Sequence, residues 1–132
     1  MSTWTHVAAV IRIDAVKGFF GPQSKEDIRK VLGPIAEFGG PQEAWDACTL
    51  PCGSEGSLEY DIWENKDEHC VAAFTISVFG DLRDYRETES IKEWFDSLCS
   101  KFMVRQAVCL AETEGCEAKV FQYEMGGSYG IL

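Results

Sequence analysis

Ten consecutive residues, Cys70-Val-Ala-Ala-Phe-Thr-Ile-Ser-Val-Phe79, constrain this chain more than any other feature. β-Branched and aromatic side chains dominate the run and no charge interrupts it. A segment of that kind is costly at a solvated edge, so it reads as the central strand of a sheet.

The segments around it supply neighbours. Residues 6–14 place Val7, Ala9, Ile11 and Ile13 on one face at period two, with Arg12 and Asp14 on the other. After the Gly18-Phe-Phe-Gly-Pro22 turn, Ser24 can N-cap a helix that carries Glu26 and Asp27 in its positive first turn. Ile28, Val31 and Leu32 form its apolar stripe, and Gly33-Pro34 stops it. Residues 34–57 are broken up by Pro34, Gly39, Gly40, Pro41, Pro51, Gly53 and Gly56, with room for a short helix over Pro41–Ala47. In Leu58–Glu64, Leu58, Tyr60 and Ile62 alternate with Glu59 and Asp61, and Asn65–Glu68 reads as a hairpin turn into the central strand. Gly80–Arg86 reads as a charged loop. From Thr88 onward Ile91, Trp94, Phe95, Leu98 and Phe102 recur at helical spacing. Two strands, Val104–Glu112 and Ala118–Glu124, follow around Glu114-Gly-Cys116, and the glycine-rich residues 126–132 read as a frayed tail.

The order is therefore β-α-β-β-α-β-β. Two crossover helices packed on one face of an antiparallel sheet make an α+β, ferredoxin-like sandwich with an added terminal strand, expected as a single domain over residues 1–125. At 132 residues and 45% hydrophobic, the chain can bury one core without covalent staples. The six cysteines are accordingly expected as reduced thiols, four of them inside or beside apolar runs. No stretch reaches the roughly 20 apolar residues of a membrane span. The opening Met-Ser-Thr-Trp-Thr-His has no signal-peptide layout, so the expected location is cytoplasmic.

Charge narrows the function further. Twelve basic and 22 acidic residues leave a net charge of −10. Between Lys30 and Lys66 there is no basic residue, while Glu37, Glu43, Asp46, Glu55, Glu59, Asp61 and Glu64 all fall in that interval. Phosphate binding needs lysine and arginine, so direct binding of nucleic acid or anionic lipid is disfavoured, and the natural partner is a basic protein surface. The expected docking residues are Glu43, Asp46, Glu55, Glu59, Asp61 and Glu64, helped by Asp81, Arg83, Tyr85 and Arg86, because Arg and Tyr are favoured where binding energy concentrates. The bland alternatives are plain solubility for the acids and a solvated, ion-paired loop for 81–86.

Catalytic and metal readings rest on fewer residues. Cys48-Thr-Leu-Pro-Cys52 with His69-Cys70 offers four zinc-type ligands, but only one closely spaced pair, and neighbours on a strand point to opposite faces. A thiol at Cys52 or Cys70 with His6 or His69 as base would make a small cysteine-dependent enzyme, the competing function together with a metal- or ligand-binding domain. Gly53 and Gly56 with Ser54 and Ser57 precede a strand rather than opening a helix, the wrong arrangement for a nucleotide loop, and Glu55 opposes phosphate. No metal or other cofactor is expected.

Gly53-Ser-Glu-Gly-Ser-Leu-Glu-Tyr60 and Phe79-Gly-Asp-Leu-Arg-Asp-Tyr85, with the Trp94-containing helix that follows, resemble small accessory proteins of phages and prophages of Gram-positive bacteria. Proteins of that kind are similar in size and acidity to inhibitors of host defence, including anti-CRISPR proteins. The resemblance implies a non-enzymatic inhibitor that occupies a basic groove meant for nucleic acid.

Overall fold

The computed structural model describes residues 2–65 and 71–123. Its elements are β1 (Trp4–Val16), α1 (Lys25–Leu32), α2 (Gln42–Ala47), β2 (Cys52–Gly53), β3 (Gly56–Ser57), β4 (Glu59–Asn65), β5 (Val71–Arg83), α3 (Thr88–Cys99), β6 (Met103–Thr113) and β7 (Lys119–Gln122). Five strands form one sheet in the order β4-β5-β1-β6-β7, every neighbouring pair antiparallel, and β2–β3 make a separate two-residue ribbon. The protein is thus α+β with a five-stranded antiparallel sheet and three helices, the short α2 adding to the two of the expected order.

The expected alternation in β1 decides which face is covered. Val7, Ala9, Ile11, Ile13 and Ala15 are buried in one cluster with Ala72, Phe74, Ile76, Val78 and Leu82 of β5. Ile28 and Leu32 of α1, and Ile91, Phe95, Leu98 and Cys99 of α3, join that cluster, so both helices cover the same face. α2 has no buried residue and lies outside this layer. Ser24 caps α1 as expected, its Oγ accepting from the Asp27 amide at 3.4 Å, and Gly33 closes the helix at φ +83°.

Several boundaries differ from expectation. β1 extends two residues further at each end, because it pairs along its length with β5 on one side and β6 on the other. Gly80–Arg86 is not a loop throughout: Gly80, Asp81, Leu82 and Arg83 continue β5 opposite Val7, His6, Thr5 and Trp4. α3 stops at Cys99 rather than running to Phe102, since its last amides tighten to three-residue bonds, Lys101 to Leu98 and Phe102 to Cys99. β7 is shorter than expected, at Lys119–Gln122.

Residues 34–57 are held in place more firmly than their punctuation suggested. The Trp45 indole donates to the Glu37 carbonyl, the Tyr60 hydroxyl to the Gly33 carbonyl, and Ala36 and Ser57 bond reciprocally. The expected hairpin turn beyond Asn65, His69 and Cys70, and the tail 126–132, lie outside the described residues.

Candidate functional site

The face of the sheet away from the helices has no layer over it among the described residues, and its composition is unusual for a solvated surface. Strand register fixes its rows. Across one row, Glu59, Phe79, Ala8, Leu110 and Val120 lie side by side; the next holds Asp61, Ser77, Val10, Val108 and Gln122; a third holds Trp63, Thr75, Arg12 and Gln106. Val10, Phe79, Val108, Leu110 and Val120 are between 39% and 61% exposed, and Trp63 is 57% exposed. Single exposed apolar residues are ordinary, but a group that runs in adjacent rows across β5, β1, β6 and β7, with Trp63 apart from it on β4, is the kind of surface that marks an interaction site.

A β-bulge shapes one corner. The β1–β6 register shifts between Arg12 and Ile13, which leaves Arg105 as the extra residue of β6. Its guanidinium reaches back to Asp14 of β1, Nε to Oδ2 at 3.1 Å and Nη2 to Oδ1 at 3.0 Å. Beside it, Val10, Arg12, Gln106, Ala107, Val108, Gln122 and Tyr123 line a shallow hollow of about 470 Å³.

Acidic residues border the apolar rows on two sides. Glu59 and Asp61 project from the edge strand β4 next to Phe79 and Ser77. At one end, Asp81, His6 and Glu112 stand opposite one another on β5, β1 and β6. His6 Nδ1 lies 2.6 Å from Asp81 Oδ1, and Nε2 lies 3.9 Å from Glu114 Oε2. The hydrogen bond to Asp81 raises the His6 pKa above its usual value, and the charges of Asp81, Glu114 and Glu112 add to this against a smaller opposing effect of burial.

The residues expected to form one acidic surface are divided. Glu43 and Asp46 sit exposed on α2, where Gln42 Nε2 donates to Asp46 Oδ1 at 2.9 Å. Glu55, in the β2–β3 turn, is ion-paired to Arg83. Glu59 and Asp61 reach the open face, whereas Glu64 is on the opposite side of the same strand. Asp81 belongs to the His6 group. Arg83 is engaged with Glu55, with Ser2 Oγ through Nε at 2.8 Å, and with Asp84 at 3.9 Å. Tyr85 accepts the Thr5 hydroxyl on its carbonyl and pairs its own hydroxyl with Ser90 Oγ at 2.5 Å, while Arg86 is exposed beside it. The 81–86 segment therefore divides between a strand end and a turn; Arg83 and Tyr85 are tied to neighbours within the fold.

The apolar half of the site was missed, although a signal existed: β1 carries Ala8 and Val10, and β6 carries Val108 and Leu110, at the positions that alternation assigns to the outside.

The competing chemical reading receives less from the geometry. Cys48, Cys52, Cys99, Cys109 and Cys116 are free thiols. Burial pushes the Cys52 thiol up, with neighbouring Cys48 adding to the effect, and burial pushes Cys99 and Cys109 up to about 12, all away from the thiolate a nucleophile needs. His6 is hydrogen-bonded to Asp81 and faces Glu114, carboxylates rather than a thiol. Among the described residues no group of three or more His, Cys, Asp or Glu side chains could hold a metal ion. The glycines of the Pro51–Leu58 turn serve close packing: a Cβ on Gly53 would sit 2.6 Å from the Arg83 backbone. No helix among the described residues is long and apolar enough to cross a membrane.

The fold and face define an α+β protein with a one-sided antiparallel sheet, apolar at its open centre, acidic along two sides and carrying Arg12 on a third. Comparison with family models, with curated proteins and with solved structures found no match.

Proposed function

We propose that this protein is a non-enzymatic binding module that docks the open face of its sheet on a protein surface presenting apolar groups among lysines and arginines. The observation that carries this reading is the row structure of the face: Phe79, Ala8, Leu110 and Val120 form an apolar strip that ends on Glu59, with Asp61 beside it. Burial of the strip supplies affinity, at about 25 cal/mol per Å² of apolar surface removed from water. The acids supply direction and speed of encounter, making association salt-sensitive. The sheet order β4-β5-β1-β6-β7, with α1 ahead of β4 and α3 between β5 and β6, supports reading the fold as a ferredoxin-like sandwich extended by β7.

A host-defence protein that handles nucleic acid is the partner class we favour, in the cytoplasm of the host cell. Its phosphate-binding groove carries the required cations, and the resemblance to phage accessory proteins points the same way. Docking there would exclude nucleic acid by occupancy. α2 and its Glu43 and Asp46 stand outside the sheet layer, which makes them an internal control.

The test is affinity capture from the producing cell, identification of the captured protein, and measurement of Kd with both proteins purified. Glu59→Lys with Asp61→Lys is expected to raise Kd at least tenfold and to flatten its salt dependence. Glu43→Lys with Asp46→Lys is expected to change Kd less than twofold. Equal effects of the two pairs, or no effect of the first, would sink the proposal.

A further inference from the structure

The acidic end of the open face is built around a single imidazole. Asp81 on β5, His6 on β1 and Glu112 on β6 lie in one register row, and Glu114 on β6 approaches the far side of the ring. The Glu114 carboxylate is tied back to β1. The Glu114 amide donates to the Trp4 carbonyl at 3.0 Å, and the Trp4 amide donates to Glu114 Oε1 at 3.1 Å. One row further, Thr5 and Thr113 are buried with their hydroxyls 2.9 Å apart, and Thr5 also donates to the Tyr85 carbonyl. Strand register thus brings the three acids to one ring, and a protonated His6 relieves part of their repulsion.

We propose that His6 is a proton-operated switch on the charge of the docking face. Protonated, it neutralises part of the Asp81–Glu112–Glu114 group and keeps that end of the face closed to a partner's cations. On losing its proton it leaves three carboxylates, gathered by strand register, for lysine or arginine side chains of the partner. Next to them, His6, Val7, Ala8, Leu110 and Glu112 line a recess of about 160 Å³ that continues onto the apolar strip. Two opposite dependences on pH follow. A histidine whose pKa is raised by folding contributes stability that is complete below its unfolded value near 6.5 and is lost as pH rises through the folded value. Docking to a basic partner strengthens over that same interval, because the face becomes one charge more negative. Linkage also requires the reverse effect: a basic partner that binds must expel a proton from His6.

The titration can be read on the free protein, so it does not depend on the docking reading, whereas the effect on binding rests on that reading. The His6 ring, distinguished from that of His69 by the His6→Gln variant, is followed by NMR from pH 5 to 9; its midpoint is expected above 6.5, and Asp81→Asn is expected to lower it. A twelve-residue polyarginine peptide serves as the cationic probe. By Coulomb's law one charge about 6 Å away in water changes affinity about threefold, so the peptide is expected to bind about threefold tighter at pH 8.5 than at pH 6.0. Amide shifts should centre on Ala8, Leu110 and Glu112. Calorimetry at neutral pH in two buffers of different ionisation enthalpy should show fractional proton release, abolished in His6→Gln. A His6 midpoint at or below 6.5, or pH-dependent peptide binding that survives in His6→Gln, would overturn the switch. Shifts confined to α2 with a raised His6 midpoint would instead overturn the docking reading and leave the titration standing.

Discussion

Replacing Gly53 with alanine tests how the acidic ribbon is attached to the sheet. A Cβ at this position would lie 2.6 Å from both the amide nitrogen and the carbonyl oxygen of Arg83, and 3.0 Å from the Leu82 carbonyl carbon, where ordinary contact begins at 3.4 Å. The atoms it meets are backbone at the end of β5, held there by pairing with β1, so the ribbon must retreat from β5, by roughly 0.8 Å. That shift exceeds what the 2.9 Å bond from the Ser54 amide to the Arg83 carbonyl can absorb. It also separates Glu55 from Arg83, and Ser54 Oγ from Asp84 Oδ2, now 2.8 Å apart. One backbone hydrogen bond is worth about 1 kcal/mol net, and the two exposed polar contacts about 0.5 kcal/mol each. With the residual overlap, the expected loss is about 2–3 kcal/mol, which lowers Tm by roughly 6–15 °C for a domain of this size. Gly39→Ala is the control: among the described residues nothing lies within 4 Å of its Cβ, and its φ of +76° costs about 1 kcal/mol. Thermal melts by circular dichroism compare the two variants. If Gly53→Ala melts as high as Gly39→Ala, the ribbon is not anchored by close approach to Arg83 and the reasoning fails.

The Gln23 amide closes the turn after β1, accepting from the Gly18 amide at 2.6 Å and donating to the carbonyls of Val16, Phe20 and Gly21, while Phe19 at the tip is 82% exposed. Gln23→Ala should therefore cost about 1–2 kcal/mol in urea unfolding and Phe19→Ser less than about 0.5 kcal/mol; the reverse ranking would contradict this account. In a Cys70→Ser background, a thiol reagent at pH 8 should label exposed Cys116 promptly and leave Cys99 and Cys109 unmodified until guanidinium unfolds the chain, since burial holds both thiols up near 12. Native-state labelling of Cys99 or Cys109 at the rate of Cys116 would refute that burial.

What was legible in the chain was what local period and punctuation carry. The inward face of β1, the stripe and cap of α1, and the apolar positions of α3 as far as Cys99 all follow from residues within a few positions of one another, because strand and helix geometry repeat every two and about 3.6 residues. The division of Glu64 from Glu59 and Asp61 is of the same kind, fixed by alternation along β4. Only the tertiary structure could make Gly80–Arg83 a strand: a glycine and alternating charges look like a loop, and the signal against that lies more than seventy residues away in Trp4–Val7. Distance in sequence also hid the Glu55–Arg83 pair and the His6 group, drawn from positions 6, 81, 112 and 114. Net charge counts residues without placing them. The fold set Glu55 against Arg83 and Asp14 against Arg105, gathered Asp81, Glu112 and Glu114 around His6, and left Glu59 and Asp61 at the border of an apolar face.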